Sequence, residues 1–172
     1  MTQPRVLVAC VGNALRGDDG FGIAVAAALD GALPEGADLI ETGIGGLGIV
    51  HQLMDGYGAL IIVDAVERAA QPGTVSVLIP QVPRVQTPTL EQWREQLADL
   101  HLAEPSRVLR IAKAAGVLPE HVLIVGCEPH ACDDFTEGLS RHVAAAVPIA
   151  ARRVQELLDD LLARMQAAQS SL

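Results

Sequence analysis

The sequence predicts an α/β fold, namely a single three-layer domain in which a mostly parallel, five-stranded sheet carries helices on both faces. Short apolar runs alternate with helix-forming segments along the chain. Several runs, such as the one from Arg5 to Cys10, are apolar throughout, as in strands buried on both faces. The length of 172 residues with 50% hydrophobic content suits one buried core. We therefore expect one domain over residues 1–172, with a frayed tail from about residue 166.

The individual elements follow from the apolar pattern and from the residues that interrupt it. The predicted strands are apolar, β-branched runs and cover residues 5–10, 38–40, 60–63, 74–79 and 121–126. The predicted helices have apolar residues at helical spacing and cover residues 21–29, 49–54, 90–100, 105–115 and 139–165. A turn at "QPG" precedes the fourth strand, which we expect to run antiparallel at an edge of the sheet. The prolines in residues 80–89 predict an irregular surface connection.

Charge and composition exclude several kinds of partner. The chain has 12 basic and 21 acidic residues, a net charge of −9, and no run of Lys or Arg that would bind a phosphate backbone. Aromatic residues make up 2% of the chain, so stacking platforms for bases are not expected. The apolar runs are too short for a signal peptide or a membrane span. Three widely spaced cysteines suit a reducing compartment, so we expect a cytoplasmic protein without nucleic-acid or membrane partners.

Acidic residues follow two of the predicted strands at the point where each strand ends. Asp18 and Asp19 lie in the glycine-rich turn "VGNALRGDDGFG" after the first strand, and Asp64 ends the third. In parallel sheets, ligands bind beyond the carboxyl ends of the strands, so these side chains should converge on one crevice. A buried strand that ends in a carboxylate must satisfy it with donors or a cation. Asp18 is also typical of a turn former or a helix cap.

A glycine cluster after the second strand raises an alternative function. Gly43, Gly45 and Gly48 spell G-x-G-x-x-G, and Asp64 follows at a distance where an acid could bind a ribose, as in dinucleotide sites. The motif opens the second β-α unit rather than the first, and the helix behind it is short. Nucleotide binding therefore remains the weaker interpretation.

The stretch "CEPHAC" after the fifth strand raises a second alternative. Cys127, His130 and Cys132 are close enough in sequence to suggest a soft metal site. A structural zinc site would need a fourth ligand and a recognisable second pair. A polar loop over the crevice is the simpler interpretation, and Cys10, in the middle of a strand, is expected in the core.

Several motifs, in order along most of the chain, resemble the hydrogenase maturation proteases. They are "VGNALRGDDGFGIAVAAAL", "ETGIGGLGIVHQL", "ALIIVDAV", His101, "LIVGCEP" and "GLSRHVAAAVPIA". The most specific element is G-N-x-L-x-G-D-D-G-x-G near the amino terminus, supported by the strand that ends in D-A-V. The family removes a C-terminal extension from the large subunit of nickel-iron hydrogenases.

The resemblance implies a set of site residues. The family's metal-contacting acids match Asp19 and Asp64, which would also be the catalytic carboxylates, and its histidine matches His101, with His130 as the alternative. Asp18 would cap or orient the loop. The side-chain-free backbone at Gly43, Gly45 and Gly46 would let a substrate segment approach closely.

The resemblance also implies a function. The chain would be an aspartic-type endopeptidase that acts as a monomer on the precursor of a nickel-iron hydrogenase large subunit. The metal would be nickel already present in that substrate, with no organic cofactor. A non-enzymatic chaperone that checks the metal of the immature large subunit would use the same crevice and stays open as an alternative.

Overall fold

The structure is a computed structural model that describes residues 4–43, 46–83, 105–130, 132 and 136–170. The strands share apolar sequences and are β1 Val6–Val11, β2 Ala37–Gly43, β3 Ala59–Ala65, β4 Val75–Leu78 and β5 His121–Cys127. The helices are α1 Phe21–Leu29, α2 Leu47–Leu53, α3 Pro105–Ala114 and α4 Arg141–Ser170. A short 3-10 turn over Gly17–Gly20 precedes α1.

The five strands form one sheet in the order β2-β1-β3-β5-β4. The pairs among β1, β2, β3 and β5 are parallel, and β4 pairs with β5 antiparallel. The sheet is therefore mixed, with its antiparallel pair at the edge where the sequence predicted it. The chain passes from β1 outward to β2 and then returns to place β3 on the other side of β1. This reversal creates a crevice beyond the carboxyl ends of β1 and β3.

Helices cover both faces of the sheet and enclose two apolar clusters. On one face, α1 and α4 pack against the side chains of Val8, Ile61 and Val125. On the other face, α2 and α3 pack against those of Leu7, Leu60 and Ile62. The residues of β1 and β3 alternate between the two clusters, which explains why these strands are apolar throughout. The predicted α/β architecture with helices on both faces is confirmed.

Most element boundaries lie close to the predicted ones. Helix α1 has the predicted bounds, whereas the last helix continues to Ser170 instead of ending at Met165. The predicted helix over residues 90–100 lies outside the described residues. Fraying of the tail stays a prediction. Within the described ranges, no helix combines the length and apolar character needed to cross a bilayer.

Candidate active site

The loop between β1 and α1 is closed by its own backbone. The N–H of Asn13 donates to the carbonyl of Asp19 (3.1 Å), and the N–H of Asp19 donates to the carbonyl of Arg16 (3.2 Å). Gly12 begins the loop with φ of 147°, and a Cβ there would collide with the Asp19 carbonyl oxygen. The glycine therefore allows the loop to fold back on itself and to hold Asp19 next to the end of β1.

Asp18 ties this loop to the last third of the chain. Its side chain is 1% exposed. Its Oδ2 accepts a hydrogen bond from the backbone N–H of His130 (2.8 Å), and its Oδ1 accepts one from the N–H of Ser140 (2.6 Å), directly before α4. A carboxylate at a helix amino terminus is stabilised by the unpaired N–H groups and by the helix dipole. Asp18 therefore orients the loop, as predicted, but it does so by binding another segment rather than by capping its own helix.

Further contacts join the same two segments. The N–H of Gly17 donates to the carbonyl of Thr136 (2.7 Å), and Nη2 of Arg16 donates to the carbonyl of Cys132 (3.2 Å). We call the loop between β1 and α1, residues 12–20, the acidic loop. Together with the two hydrogen bonds of Asp18, these contacts fix the acidic loop against the connection between β5 and α4. Asp19 therefore sits on a rigid support, as a precisely placed carboxylate requires.

Asp64 is the other carboxylate at this crevice, and it lies near the end of β3. Its side chain is 6% exposed. Burial, together with the negative charge of Asp19, raises the pKa of Asp64 from 3.8 to about 8, against a lowering effect of a backbone hydrogen bond from Ala65. Burial also raises the pKa of Asp19, whereas the charge of Arg16 and a hydrogen bond from Asn13 lower it. The two carboxylates therefore act on each other, and Asp64 holds a proton near neutral pH in the protein alone.

Helix α1 begins unusually close to the ends of the two strands that carry these acids. A Cβ at Gly22 would collide with the carbonyl oxygen of Val11 and would lie 2.6 Å from that of Val63. Only glycine permits this approach. The last glycine of the G-D-D-G-x-G motif is therefore explained by packing behind the site.

The remaining predicted site residues have different outcomes. His101 and Gly45 lie outside the described residues. Gly43 ends β2 and pairs with Val11 of β1. Gly46 is buried, and a Cβ there would collide with the side chain of Val108 on α3, so close helix packing is one reason for this glycine. A role of these glycines in binding substrate stays a prediction.

Within the residues that the structure describes, the "CEPHAC" stretch is not placed to form a metal site. Among the described residues, which include Cys127, His130 and Cys132, no group of three or more metal-ligating side chains is placed to hold a metal ion. The imidazole of His130 is exposed. Burial, followed by the charge of Asp18 for Cys127 and of Asp19 for Cys132, raises the pKa of each thiol to about 11. Both thiols are therefore protonated near neutral pH in the protein alone.

Sequence reasoning missed a third buried carboxylate, that of Glu128. Glu128 follows β5, is mostly buried, and accepts a hydrogen bond on Oε2 from the backbone N–H of Arg68 (2.7 Å). Its own N–H and carbonyl pair with Thr74 and Gly73. Glu128 therefore holds the connection between β3 and β4 against the end of β5. Its neighbours in sequence carry no motif that indicates this contact.

The fold and the acid pair define a doubly wound α/β protein with two interacting carboxylates at its topological switch point. A family model described as "Hydrogenase maturation protease" (HycI) matches residues 23–157, a range that contains Asp64 but begins after Asp19. The hydrogenase expression/formation protein HoxM of Azotobacter vinelandii is 30% identical over 161 residues, which cover 92% of this chain and 74% of HoxM. The hydrogenase expression/formation protein HupD of Rhizobium leguminosarum bv. viciae is 30% identical over 150 residues, which cover 86% of this chain and 70% of HupD.

Solved structures agree with these matches. The hydrogenase 2 maturation peptidase from Thaumarchaeota archaeon SCGC_AB-539-E09 is 38% identical, with a TM-score of 0.65, covering 90% of this chain and 97% of the peptidase. The hydrogenase maturating endopeptidase HybD from E. coli is 27% identical, with a TM-score of 0.71, covering 91% and 93% of the two chains. The chain belongs to the hydrogenase maturation protease family, and it is an endopeptidase of hydrogenase maturation.

Proposed function

We propose that the chain removes a C-terminal extension from the large-subunit precursor of a nickel-iron hydrogenase after nickel has been inserted. Nickel belongs to the substrate in this proposal. Asp19 and Asp64 contact it, together with His101. The chain itself needs no organic cofactor and acts as a monomer.

The observation that carries the proposal is the pairing of Asp19 with the buried Asp64. Two carboxylates that face one crevice repel each other when both are ionised, and burial makes ionisation of Asp64 still less favourable. A cation brought by the substrate removes both costs, because it compensates the two charges and allows Asp64 to release its proton. The site is therefore complementary to a polypeptide that already carries a divalent cation.

The donor set also suits a cation that arrives with its substrate. Carboxylate oxygens and one imidazole form a mixed set that accepts borderline divalent ions such as Ni²⁺. Two carboxylates alone, without the histidine and without donors from the substrate, leave the coordination of such an ion incomplete. The chain would therefore distinguish a precursor that contains nickel from one that lacks it, because only the nickel-loaded precursor brings the ion and its remaining ligands to the site.

Peptide hydrolysis at this site requires few groups. A cation held there would polarise the carbonyl of the scissile peptide, and Asp19 or Asp64 would accept a proton from the attacking water. The water oxygen bonds to the carbonyl carbon, the C–N bond breaks, and the proton passes to the departing amine. A rigid acidic loop helps because the carboxylate must already lie within hydrogen-bonding reach of the water.

The test compares the mass of the precursor before and after incubation with the chain. We expect the nickel-loaded precursor to lose its C-terminal extension and the nickel-free precursor to keep it. The variant Asp64→Asn serves as the matched control and should leave both masses unchanged. Equal cleavage of the loaded and empty forms would contradict the role of nickel.

The chaperone alternative predicts a different result in the same experiment. A chaperone would bind the loaded precursor in a co-purification assay, yet the precursor mass would not change. For the dinucleotide alternative, calorimetric titration with NAD or ATP would have to show specific binding, and we expect none.

A further inference from the structure

The part of the chain that the structure describes exposes a small set of large apolar side chains. They are Leu15, Leu47, Met54, Ile79 and Ile149. Single exposed apolar residues are normal on protein surfaces, so exposure alone carries no meaning. Leu15 differs from Met54 and Ile149 because it lies in the acidic loop itself, four residues before Asp19.

The loop presents Leu15 to solvent in one fixed arrangement. The backbone N–H of Leu15 donates to Oδ1 of Asn13 (3.0 Å), and the N–H of Arg16 donates to the Asn13 carbonyl (3.0 Å). The loop is also fastened to Thr136 and Cys132 by the contacts of Gly17 and Arg16. Leu15 is nevertheless 59% exposed, and its neighbour Ala14 is exposed as well. A rigid loop thus holds an apolar tip in water.

The position of this tip relative to Asp19 can be bounded from the backbone. The hydrogen bond between Asp19 and Arg16 closes a turn, which places their Cα atoms within about 7 Å of each other. Leu15 is one residue further along, so its Cα lies within about 11 Å of that of Asp19. An extended peptide covers about 3.4 Å per residue. A substrate that is cut next to Asp19 can therefore reach Leu15 within about three residues of the scissile bond.

We infer that Leu15 is a substrate-recognition residue, whose side chain packs against an apolar side chain of the precursor within about three residues of the bond that is cut. This inference rests on the proposed function, because it requires a polypeptide substrate at the acid pair. The occupant is a segment of that same polypeptide, since the tip is continuous with the loop that carries Asp19. Closing the contact removes apolar surface from water on both sides.

The experiment measures steady-state cleavage of the nickel-loaded large-subunit precursor by the wild-type chain and by variants. Leu15→Ala should raise KM about tenfold with kcat nearly unchanged, because it removes a contact made equally in the bound and transition states. Leu15→Met keeps a similar apolar volume and should retain the wild-type KM. The controls Met54→Ala and Ile149→Ala remove side chains of similar exposure, 63% and 56%, and should leave KM unchanged.

A second arm changes the substrate. Apolar residues within three positions of the cleaved bond are replaced by serine, one at a time. One replacement should raise KM for the wild-type chain yet have little further effect on Leu15→Ala, because the two changes remove the same contact. Fully additive effects at every position would overturn the inference.

The outcomes separate this inference from the proposed function. No cleavage by the wild-type chain overturns both. Cleavage by the wild-type chain with an unchanged KM in Leu15→Ala overturns the inference alone. A raised KM in Leu15→Met, or an equal rise in the two controls, would show that general loss of structure rather than contact with substrate is responsible, and would likewise overturn it.

Discussion

Charged side chains are arranged in opposite ways at the two ends of the sheet. At the amino ends of the strands, Arg5 donates from Nε and Nη2 to Oδ2 of Asp38 (3.2 and 2.8 Å), and Tyr57 donates to the same oxygen (3.0 Å). Gln52 donates to the hydroxyl of Tyr57, and the Arg5 guanidinium lies 4.4 Å from the centre of the Tyr57 ring. Opposite charges are paired here within a network that also fastens β1, β2 and the start of β3.

At the carboxyl ends, two carboxyl groups that would carry like charges face each other instead. Asp19 raises the pKa of Asp64, and burial raises it further. Such an arrangement costs stability in the protein alone and is found where a ligand supplies the missing charge. The comparison indicates that the amino edge serves stability and the carboxyl edge serves chemistry.

The largest expected effect is loss of cleavage when either acid is neutralised. Asp64→Asn and Asp19→Asn keep the side-chain shape but remove the carboxylate that, in the proposed function, binds the cation and accepts the proton. We expect cleavage rates to fall on the order of a thousandfold. The measurement is single-turnover cleavage of the nickel-loaded precursor, with Asp159→Asn, an exposed substitution on α4, as control. Wild-type rates in either variant would remove that residue from the site.

The next largest effect is expected for Asp18, whose two carboxylate oxygens both accept hydrogen bonds at the carboxyl edge of the sheet. Asp18→Ala leaves the N–H groups of His130 and Ser140 without the acceptor they have now. The free energy of unfolding should fall by about 3 kcal/mol, as for loss of charge-assisted hydrogen bonds in a buried place. Asp18→Asn retains an acceptor oxygen and should lose less. Urea unfolding measures both, and equal stability of the alanine variant and the wild type would contradict the anchoring role.

Crowding of α1 against the strand ends gives a slightly smaller effect. Gly22→Ala forces a Cβ against the carbonyl oxygens of Val11 and Val63, and we expect a loss of about 2 kcal/mol. Gly48→Ala is the matched control, because a Cβ there meets nothing nearer than Cγ2 of Thr42 at 3.8 Å and alanine favours the helix. Thermal unfolding should show a lower midpoint for the first variant and an unchanged or higher midpoint for the second.

Neutralising Asp64 should also stabilise the protein, with a defined dependence on pH. Its pKa is about 8 in the folded chain against 3.8 for a free side chain. Between these values the folded chain binds a proton that the unfolded chain has lost, so this group makes stability fall as pH rises from about 4 to about 8. Asp64→Asn removes that dependence and should be more stable at pH 8 by at least about 2 kcal/mol, since each unit of difference in pKa corresponds to about 1.4 kcal/mol.

Urea unfolding of wild type and Asp64→Asn at several pH values tests this. The gap between the two proteins should be smallest at pH 4 and widen up to pH 8. A gap that stays constant across this range would show that Asp64 is not the group responsible.

The smallest effect is expected at the amino edge. Arg5→Ala removes a partly exposed ion pair with Asp38, and such pairs contribute little. Its thermal midpoint should fall less than that of Gly22→Ala, and cleavage of the precursor should stay at the wild-type rate. The difference from wild type should shrink at about 1 M salt, where screening is strong. A loss of cleavage in this variant would contradict the assignment of stability to the amino edge and chemistry to the carboxyl edge.

The sequence was a good guide to the fold because its signals are local. Apolar runs and helix-forming alanines predict α1 over Phe21–Leu29 with the observed bounds, and "QPG" predicts the antiparallel β4. The end of α4 was placed too early because "QAAQ" contains good helix formers without a stop signal. Because ligands bind beyond the carboxyl ends of parallel strands, the sequence alone was enough to predict that Asp19 and Asp64 lie at one edge of the sheet.

The parts that sequence reasoning missed depend on distant backbone groups. The partners of Asp18 are main-chain N–H groups, which every residue except proline carries, so no side-chain pattern marks them. The contact of Glu128 with Arg68 is of the same kind. The raised pKa of Asp64 arises from surroundings that assemble only in the folded chain. The role of His101 stays a prediction.

The anchors of Asp18 also set when the enzyme can first work. His130 and Ser140 lie 112 and 122 residues after it. At the usual speed of ribosomes, about 5 to 20 residues per second, Asp18 is made roughly 6 to 24 seconds before both partners exist. Once Asp64 has also been made, the nascent chain contains both proposed catalytic acids but still lacks the contacts that hold the loop with Asp19 in place. The support of the loop is therefore complete only after Ser140 has been made, and a truncated product that ends before Ser140 would contain both acids without these contacts.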